Sequence, residues 1–554
     1  MRPWFIAPVA PSAVLASLLV AACGGDEGPR ATDGGDGTDA PQPDAPTPDA
    51  GCPTGTPDYP LLYPDFGADS PPLPSGGRLD GGLPAFLWGA ATAGHQVEGG
   101  NRASDWWAWE QMEGRITGGD RSDDGPDHWT HYERDMDLLV AGGMNAYRMS
   151  IEWARLFPRR EDFEADPMRP DVEALARYRD IVRAARARGI TLMVTLHHFV
   201  SPIWWLDPRA PLDERRAMGF ASDRAPEDLR RWADFVGRQF GADVDLWVTL
   251  NEPMVLLLAG YLVGRHPPGI VYEPGDELPL RVVRNLIRAH AAAYDALHAA
   301  DTVDADGDGR AALVSVAQHL RPLYGLRPCS VRDATAARRL EHLNNWVLLD
   351  AIVRGDLDGN GDGDLDDPGD VRADPALVGR ADYLGINYYS LTLVDGSVPL
   401  SDLIPGLPLE TERRTGLAHT DLEWSIYPGG FRVVLEEAWR RYRLPIHVTE
   451  NGVADATGAL RGRFVAEHLH VLARAMADGI DVRGYFHWTL MDNFEWSEGF
   501  CPRFGLYRVN YESPDRTRTE TDGLRVLRRI LGEGRVTATL LAELPPYGAP
   551  SVCR

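Results

Sequence analysis

The chain is 554 residues long with a formal net charge of −26, an acidic balance that disfavours nucleic acid or an anionic membrane as the main partner. A neutral ligand fits better. With 44% hydrophobic residues there is enough apolar side chain for one large barrel or several ordinary domains, so the order of segments has to decide between them.

The first segment reads as an address. Ala13 to Ala22 is apolar and rich in small residues behind Arg2, and Val20-Ala21-Ala22-Cys23 resembles the lipobox of bacterial lipoproteins. Residues 1–22 are therefore expected to be a signal peptide, too short to span a bilayer as a mature helix, with Cys23 lipidated. An ordinary signal peptide cut near Ala22 is the alternative. The lipid reading implies an exported protein, held at the periplasmic or outer face of the envelope, that meets the membrane only through its anchor. Residues 23–58 are Gly, Asp, Pro and Thr with almost no large apolar side chain, the composition of a disordered spacer. The folded domain is then expected over 59–554.

Beyond residue 80, short apolar runs alternate with amphipathic stretches. The runs are Ala85–Ala91, Asn145–Ile151, Thr191–His198, Leu246–Asn251, Ala312–Gln318, Tyr383–Tyr388, Ile446–Glu450 and Gly484–Leu490. Near-continuous apolar runs suit strands buried on both faces, which is how parallel sheets are built. Between them, Leu229, Trp232, Val236 and Phe240 share a helical face that ends at Gly241, and Leu175, Tyr178, Val182 and Ala185 repeat the pattern before Gly189. Eight such units predict an α/β fold of one kind, a single (β/α)₈ TIM barrel with long βα loops.

Barrels of this type carry their chemistry where strands end, and the polar residues there are dense. They include His95, Gln96 and Glu98 after the first run, Arg148 in the second, His197 and His198 ending the third, and Asn251-Glu252 ending the fourth. The sixth gives Asn387 to Tyr389, the seventh Glu450-Asn451, and the eighth leads to Trp488, Glu495 and Trp496. A lone strand-end glutamate is usually an ion-pair partner. Two of them, after strands four and seven and each beside an asparagine, face each other across the mouth, where one can attack a glycosidic carbon while the other protonates the leaving oxygen.

The wider motifs agree. WVTLNEP (247–253) and HVTENG (447–452) resemble the acid/base and nucleophile signatures of glycoside hydrolase family 1. FLWGAATAGHQVEG (86–99), AYRMSIEWARLFP (146–158), LGINYYS (384–390) and GYFHWTLMDNFEWSEGF (484–500) follow that family's order, over about residues 84–530, with GPDHW and IEWARLFP similar to its archaeal branch. The resemblance implies a retaining, exo-acting β-glycosidase of β-glucosidase or β-galactosidase type. Glu450 is then the nucleophile and Glu252 the general acid/base, with no cofactor required. Arg148 and Tyr389 would hold the nucleophile, whose charge would raise the pKa of Glu252. Gln96, His198, Asn251, Asn387, Glu495 and Trp496 would bind the sugar over Trp488, Asn251 at the 2-hydroxyl. His95 and His197 are read as residues of local packing or loop hydrogen bonding. The position of Glu495, with no lysine in 484–510, implies an unphosphorylated sugar.

Departures from the family pattern occur at Phe199-Val200, where an indole would be more usual, and at Cys501-Pro502. Both bear on pocket shape. Cysteines stand at 23, 52, 329, 501 and 553, and their places on such a barrel suggest Cys329–Cys501 and Cys52–Cys553 disulfides; no Cys/His grouping suggests zinc. Two acidic inserts have the spacing of calcium loops, at Asp304, Asp306 and Asp308 and, with more ligands, at Asp356, Asp358, Asn360 and Asp362. A structural calcium is expected at the second, a solvated loop being the alternative. The rivals to a hydrolase are a carbohydrate-binding lipoprotein without activity, which the presence of both glutamates opposes, and a transglycosidase working through the same intermediate.

Overall fold

A computed structural model describes residues 65–77, 86–327, 329–398, 407–409, 416–551 and 553. The expected signal peptide, Cys23, the expected spacer and Cys52 lie outside the described residues. Eight strands close into one parallel barrel: β1 Leu87–Ala91, β2 Ala146–Ser150, β3 Thr191–His197, β4 Leu246–Asn251, β5 Leu313–His319, β6 Leu384–Tyr388, β7 Ile446–Asn451 and β8 Val482–Trp488. Around the ring they follow chain order, β1 closing against β8. Each expected apolar run became a strand, within two residues at either end.

The strands are buried almost throughout, because side chains of one face fill the barrel and those of the other meet the helices. Helix Ala225–Phe240 buries Leu229, Trp232, Val236 and Phe240 against the sheet. The Trp232 indole donates to the Leu196 carbonyl of β3 at 2.9 Å, so its one polar atom is satisfied inside an apolar layer. Helix Val172–Ala187 is capped by Asp171, whose carboxylate accepts from the amides of Glu173 and Ala174, and Gly189 takes the left-handed conformation that ends it.

Two strands depart from regular pairing, and at matching places. The β4–β5 register shifts between Val248 and Asn251, and the β6–β7 register between Val448 and Glu450. Such irregularities re-aim the residues that follow. Here they fall at the C-terminal ends of the two strands that lead to the glutamates.

The cysteine pairing differs from expectation. Cys501 bonds to Cys553, which excludes both Cys329–Cys501 and Cys52–Cys553; Cys329 is also disulfide-bonded. The reason is topological. β5 and β8 are three places apart in the ring, so the loop carrying Cys329 lies across the mouth from Cys501. The C-terminal tail, for its part, does not stay at the bottom of the barrel but climbs to the catalytic face. Among the described residues no helix is long and apolar enough to cross a membrane.

Candidate active site

Glu450, buried in β7, is gripped at both oxygens: Oε1 accepts from Arg148 Nη1 at 2.6 Å and Oε2 from the Tyr389 hydroxyl at 2.6 Å. Arg148 in β2 is wholly buried, a position a guanidinium tolerates only when its donors find acceptors. They do. Nη2 reaches Asn251 Oδ1 at 2.6 Å, Nε reaches Thr195 Oγ1 at 3.2 Å, and Nη1 also reaches the Thr449 carbonyl at 3.3 Å. The next glycine of the motif, Gly452, has no alternative: a Cβ there would stand 1.9 Å from the Trp488 carbonyl oxygen.

Glu252 follows β4 in the left-handed region, φ 45°, a strained setting for a residue with a side chain. Its amide donates to the Ala317 carbonyl of β5 at 2.7 Å, and Pro253 then starts a short helix, the first helical position being one where its missing N–H costs nothing. Oε1 accepts from Asn387 Nδ2 at 2.8 Å, and Asn387 Oδ1 in turn accepts from Thr449 Oγ1 at 2.7 Å. One asparagine of β6 thus links the carboxyl after β4 to the strand that carries Glu450.

The electrostatics refine the sequence reading. Burial is the first cause pushing Glu252 up to about 8, the charge of Glu450 the second, and the Asn387 hydrogen bond opposes both. Burial also raises Glu450, against the pull of Arg148 and Tyr389. Of the two, Glu450 has the cation and two short donors on its own oxygens, so its anion is the better stabilised. Glu252 is the carboxyl that keeps its proton.

The remaining predicted residues converge on the same mouth. Glu495 Oε2 accepts from Asn493 Nδ2 at 3.1 Å and from Gln96 Nε2 at 3.4 Å, and burial pushes Glu495 up to about 8. Asn251 Nδ2 donates to His198 Nε2 at 3.0 Å, so the proton of this neutral, buried histidine sits on Nδ1. The His198 ring stacks on Trp488 at 5.7 Å and on Trp496 at 6.1 Å. Phe199, at the departure from the family pattern, turns its edge to Trp496 at 5.3 Å with φ 66°. His197 pairs with Ser201 at 3.1 Å and His95 lies 3.1 Å from Glu110, both buried.

Sequence reasoning passed over Thr195, Thr449 and Asn493, which orient Arg148, Asn387 and Glu495; all three lie inside or beside the quoted motifs, where their buried positions were the available signal. It also passed over Trp424, whose ring meets Tyr389 at 5.6 Å and Phe504 at 6.3 Å. The residues of the second acidic loop are not drawn together around one point. Asp358 is 2.9 Å from His342 Nε2 and accepts from the amides of Gly361 and Gly363, Asp356 accepts from the Ala373 amide, and Asn360 donates to Asp362 and Asp367. Among the described residues the grouping of carboxylates close enough to share an ion is Asp245, Asp304 and Asp306, at the first loop.

The arrangement supplies an ionised carboxylate, a protonated one opposite, and a lining of donors and aromatic faces, the requirements for displacement at an acetal carbon through an ester intermediate. Comparison with known proteins agrees. A sequence model of glycosyl hydrolase family 1 matches residues 82–533. A β-galactosidase of Pyrococcus woesei is 31% identical over 515 residues, covering 83% of this chain and 98% of its own. β-Glucosidase A of Thermotoga maritima is 30% identical over 465 residues, 78% and 94% respectively. Among solved structures, the Pyrococcus horikoshii β-glycosidase superposes with a TM-score of 0.69 at 34% identity, over 83% of this chain and 97% of that one. The Thermosphaera aggregans β-glycosidase, at 24% identity, shares the fold with a TM-score of 0.71, over 83% and 98%. The chain belongs to glycosyl hydrolase family 1.

Proposed function

We propose that this retaining β-glycosidase releases a terminal, unphosphorylated glucose or galactose, with Glu450 as nucleophile and Glu252 as acid and then base. The observation that carries the reading is the asymmetric pair: one buried glutamate held by Arg148 and Tyr389, the other bonded, among the described residues, to Asn387 and pushed up to about 8. In the first step Glu450 attacks the anomeric carbon while the Glu252 proton passes to the aglycone oxygen. Glu252 has then given up its proton, the glycosyl ester removes the charge of Glu450 and so lets Glu252 stay ionised, and as a carboxylate it takes the proton of the attacking water. No step requires a cofactor.

Buried polar atoms without a protein partner among the described residues, Gln96 Oε1 and His198 Nδ1, suit the hydroxyls of a hexose in this site. Glu495, Asn493 and Trp488 complete the setting. The chain contains no lysine at all, so no ammonium can neutralise a 6-phosphate beside Glu495. The lipobox-like Val20-Ala21-Ala22-Cys23 supports export and lipid anchoring, which would keep the enzyme at the envelope and away from cytoplasmic phosphosugars. Two measurements test this. Proton NMR during cleavage of an aryl β-glucoside or β-galactoside should show the β-anomer of the free sugar first, and kcat/KM should be far higher than for the 6-phosphate of the same glycoside. First appearance of the α-anomer, or comparable cleavage of the 6-phosphate, would overturn it.

A further inference from the structure

The C-terminal tail follows an unexpected course. After helix Ala538–Glu543 it climbs the side of helix Arg461–Ala477: Arg463 donates to the Pro545 carbonyl at 2.7 Å, the Tyr547 hydroxyl to Glu467 at 2.7 Å, and the Gly548 amide to the Ala459 carbonyl at 3.5 Å. It thereby passes the N-terminal end of that helix and arrives among the loops that follow β6, β7 and β8. There it meets Asp421, a wholly buried residue of the β6 loop.

Asp421 gathers three segments. Its Oδ1 accepts from the Ser551 amide of the tail at 2.7 Å, and its Oδ2 from the Ala456 amide of the β7 loop at 2.6 Å. Its own amide donates to the Ala454 carbonyl at 3.1 Å, and its carbonyl accepts from the Cys553 amide at 3.4 Å. Cys553 then bonds to Cys501 of the β8 loop, with 5.6 Å between the Cα atoms and a sequence separation of 52. The β7 and β8 loops are joined a second time, through the Asp455 amide and the Arg503 carbonyl at 2.8 Å.

All three loops hold parts of the site. Three residues beyond Asp421 lies Trp424, closed into its turn by Thr420 and set against Tyr389, which bonds the nucleophile. The β7 loop continues directly from Glu450 and Asn451. The β8 loop bears Glu495 and Trp496, six and five residues before Cys501. Loops of this length have many arrangements open to them, and a covalent tie between two of them, bonded to the third, reduces that number.

We propose that the tail from Leu544 to Cys553 is a strap locked by the Cys501–Cys553 disulfide that positions the β6, β7 and β8 loops around bound sugar, making the site responsive to dithiol reductants. Cys501 is exposed and Cys553 buried, so attack begins at Cys501. A dithiol thiolate displaces Cys553 from Cys501; the second thiol of the reductant then displaces Cys501, leaving two protein thiols and a cyclic disulfide, with two electrons and two protons transferred.

The proposal rests on the hydrolytic reading of the site, and turnover by the oxidised enzyme checks that reading separately. KM and kcat for an aryl β-glycoside are measured on the full chain, on Cys501→Ser/Cys553→Ser, and on Cys329→Ser, each with and without dithiothreitol. In Cys329→Ser, reduction should raise KM by about three- to tenfold and change kcat by less than about twofold, reversibly on reoxidation; the double variant, made in the Cys329→Ser background, should match the reduced Cys329→Ser enzyme and ignore dithiothreitol. Unchanged KM in fully reduced Cys329→Ser, even with a lowered Tm, would make the tail a clamp for stability alone and overturn the proposal. The reduction experiment stands if the double variant fails to fold, and an oxidised enzyme without turnover would refute the hydrolytic reading instead.

Discussion

Carboxylates gather both at the barrel mouth and in the loop from Asp356 to Asp370, and one buried acid from each, Glu252 and Asp358, is shifted in opposite directions. In the loop, Asp358 is buried, which alone would raise it, yet the His342 hydrogen bond and the amides of Gly363 and Gly361 outweigh burial and hold it below the usual range. Asp370 likewise takes the Gly359 amide at 2.7 Å, and Asp362 the Asp364 amide at 2.9 Å. These acids are satisfied by their own backbone. At the mouth, Glu252 has, among the described residues, one side-chain donor, no backbone amide on its carboxyl and a charged neighbour, so burial wins and the proton stays. Chemical potential for catalysis is left where hydrogen bonds are rationed, and removed where the chain caps itself.

That contrast can be broken at the mouth with the largest effect. Glu252→Gln keeps the shape and the Asn387 contact but has no proton to give, so kcat/KM should fall by about 10²- to 10⁴-fold for a poor leaving group and far less for a nitrophenolate. The sign of the pH effect follows from the raised pKa. The active form of Glu252 is the protonated one, so kcat/KM of the native enzyme should decline as pH rises through about 8, and the variant should lose that limb. A pH profile with the limb intact in Glu252→Gln would assign it to another group, Glu495 being the first to examine, since burial pushes it too to about 8.

A smaller effect is expected from the loop. Asp358→Ala strips His342 and two glycine amides of a buried acceptor and should cost about 1–3 kcal/mol in denaturant unfolding while leaving kcat unchanged. Added chelator should then change neither protein. A drop in Tm on chelation of the native enzyme, absent in Asp358→Ala, would instead place a structural calcium in this loop, as its spacing suggests.

Much of the architecture was legible because the signals are local. Continuous apolar runs such as Leu246–Asn251 and Ile446–Glu450 announced strands buried on both faces, and Asn251-Glu252 and Glu450-Asn451 at their ends placed the pair across one mouth. What escaped depends on distant segments meeting. No spacing in the sequence says that Cys553 travels to the β8 loop, because the tail's route is set by contacts with Glu467, Ala459 and Asp421, far apart in the chain. Thr449 offered only its place in a buried strand for a related reason: a threonine in a strand is ordinary until the neighbouring strand presents Asn387 to it. The order of causes at Glu252 was also beyond reach, since the weight of burial over the charge of Glu450 is a property of the closed barrel.

The central claim is the division of labour between the two glutamates, and the most direct test is Glu450→Gly. Removing the side chain should lower kcat by about 10⁶-fold, and azide should restore turnover of an aryl β-glycoside by entering the vacated space and attacking the same face, giving the α-glycosyl azide. Glu252→Gly with azide should give the β-glycosyl azide. Residual hydrolysis near the native rate in Glu450→Gly, or a β-glycosyl azide from it, would contradict the account.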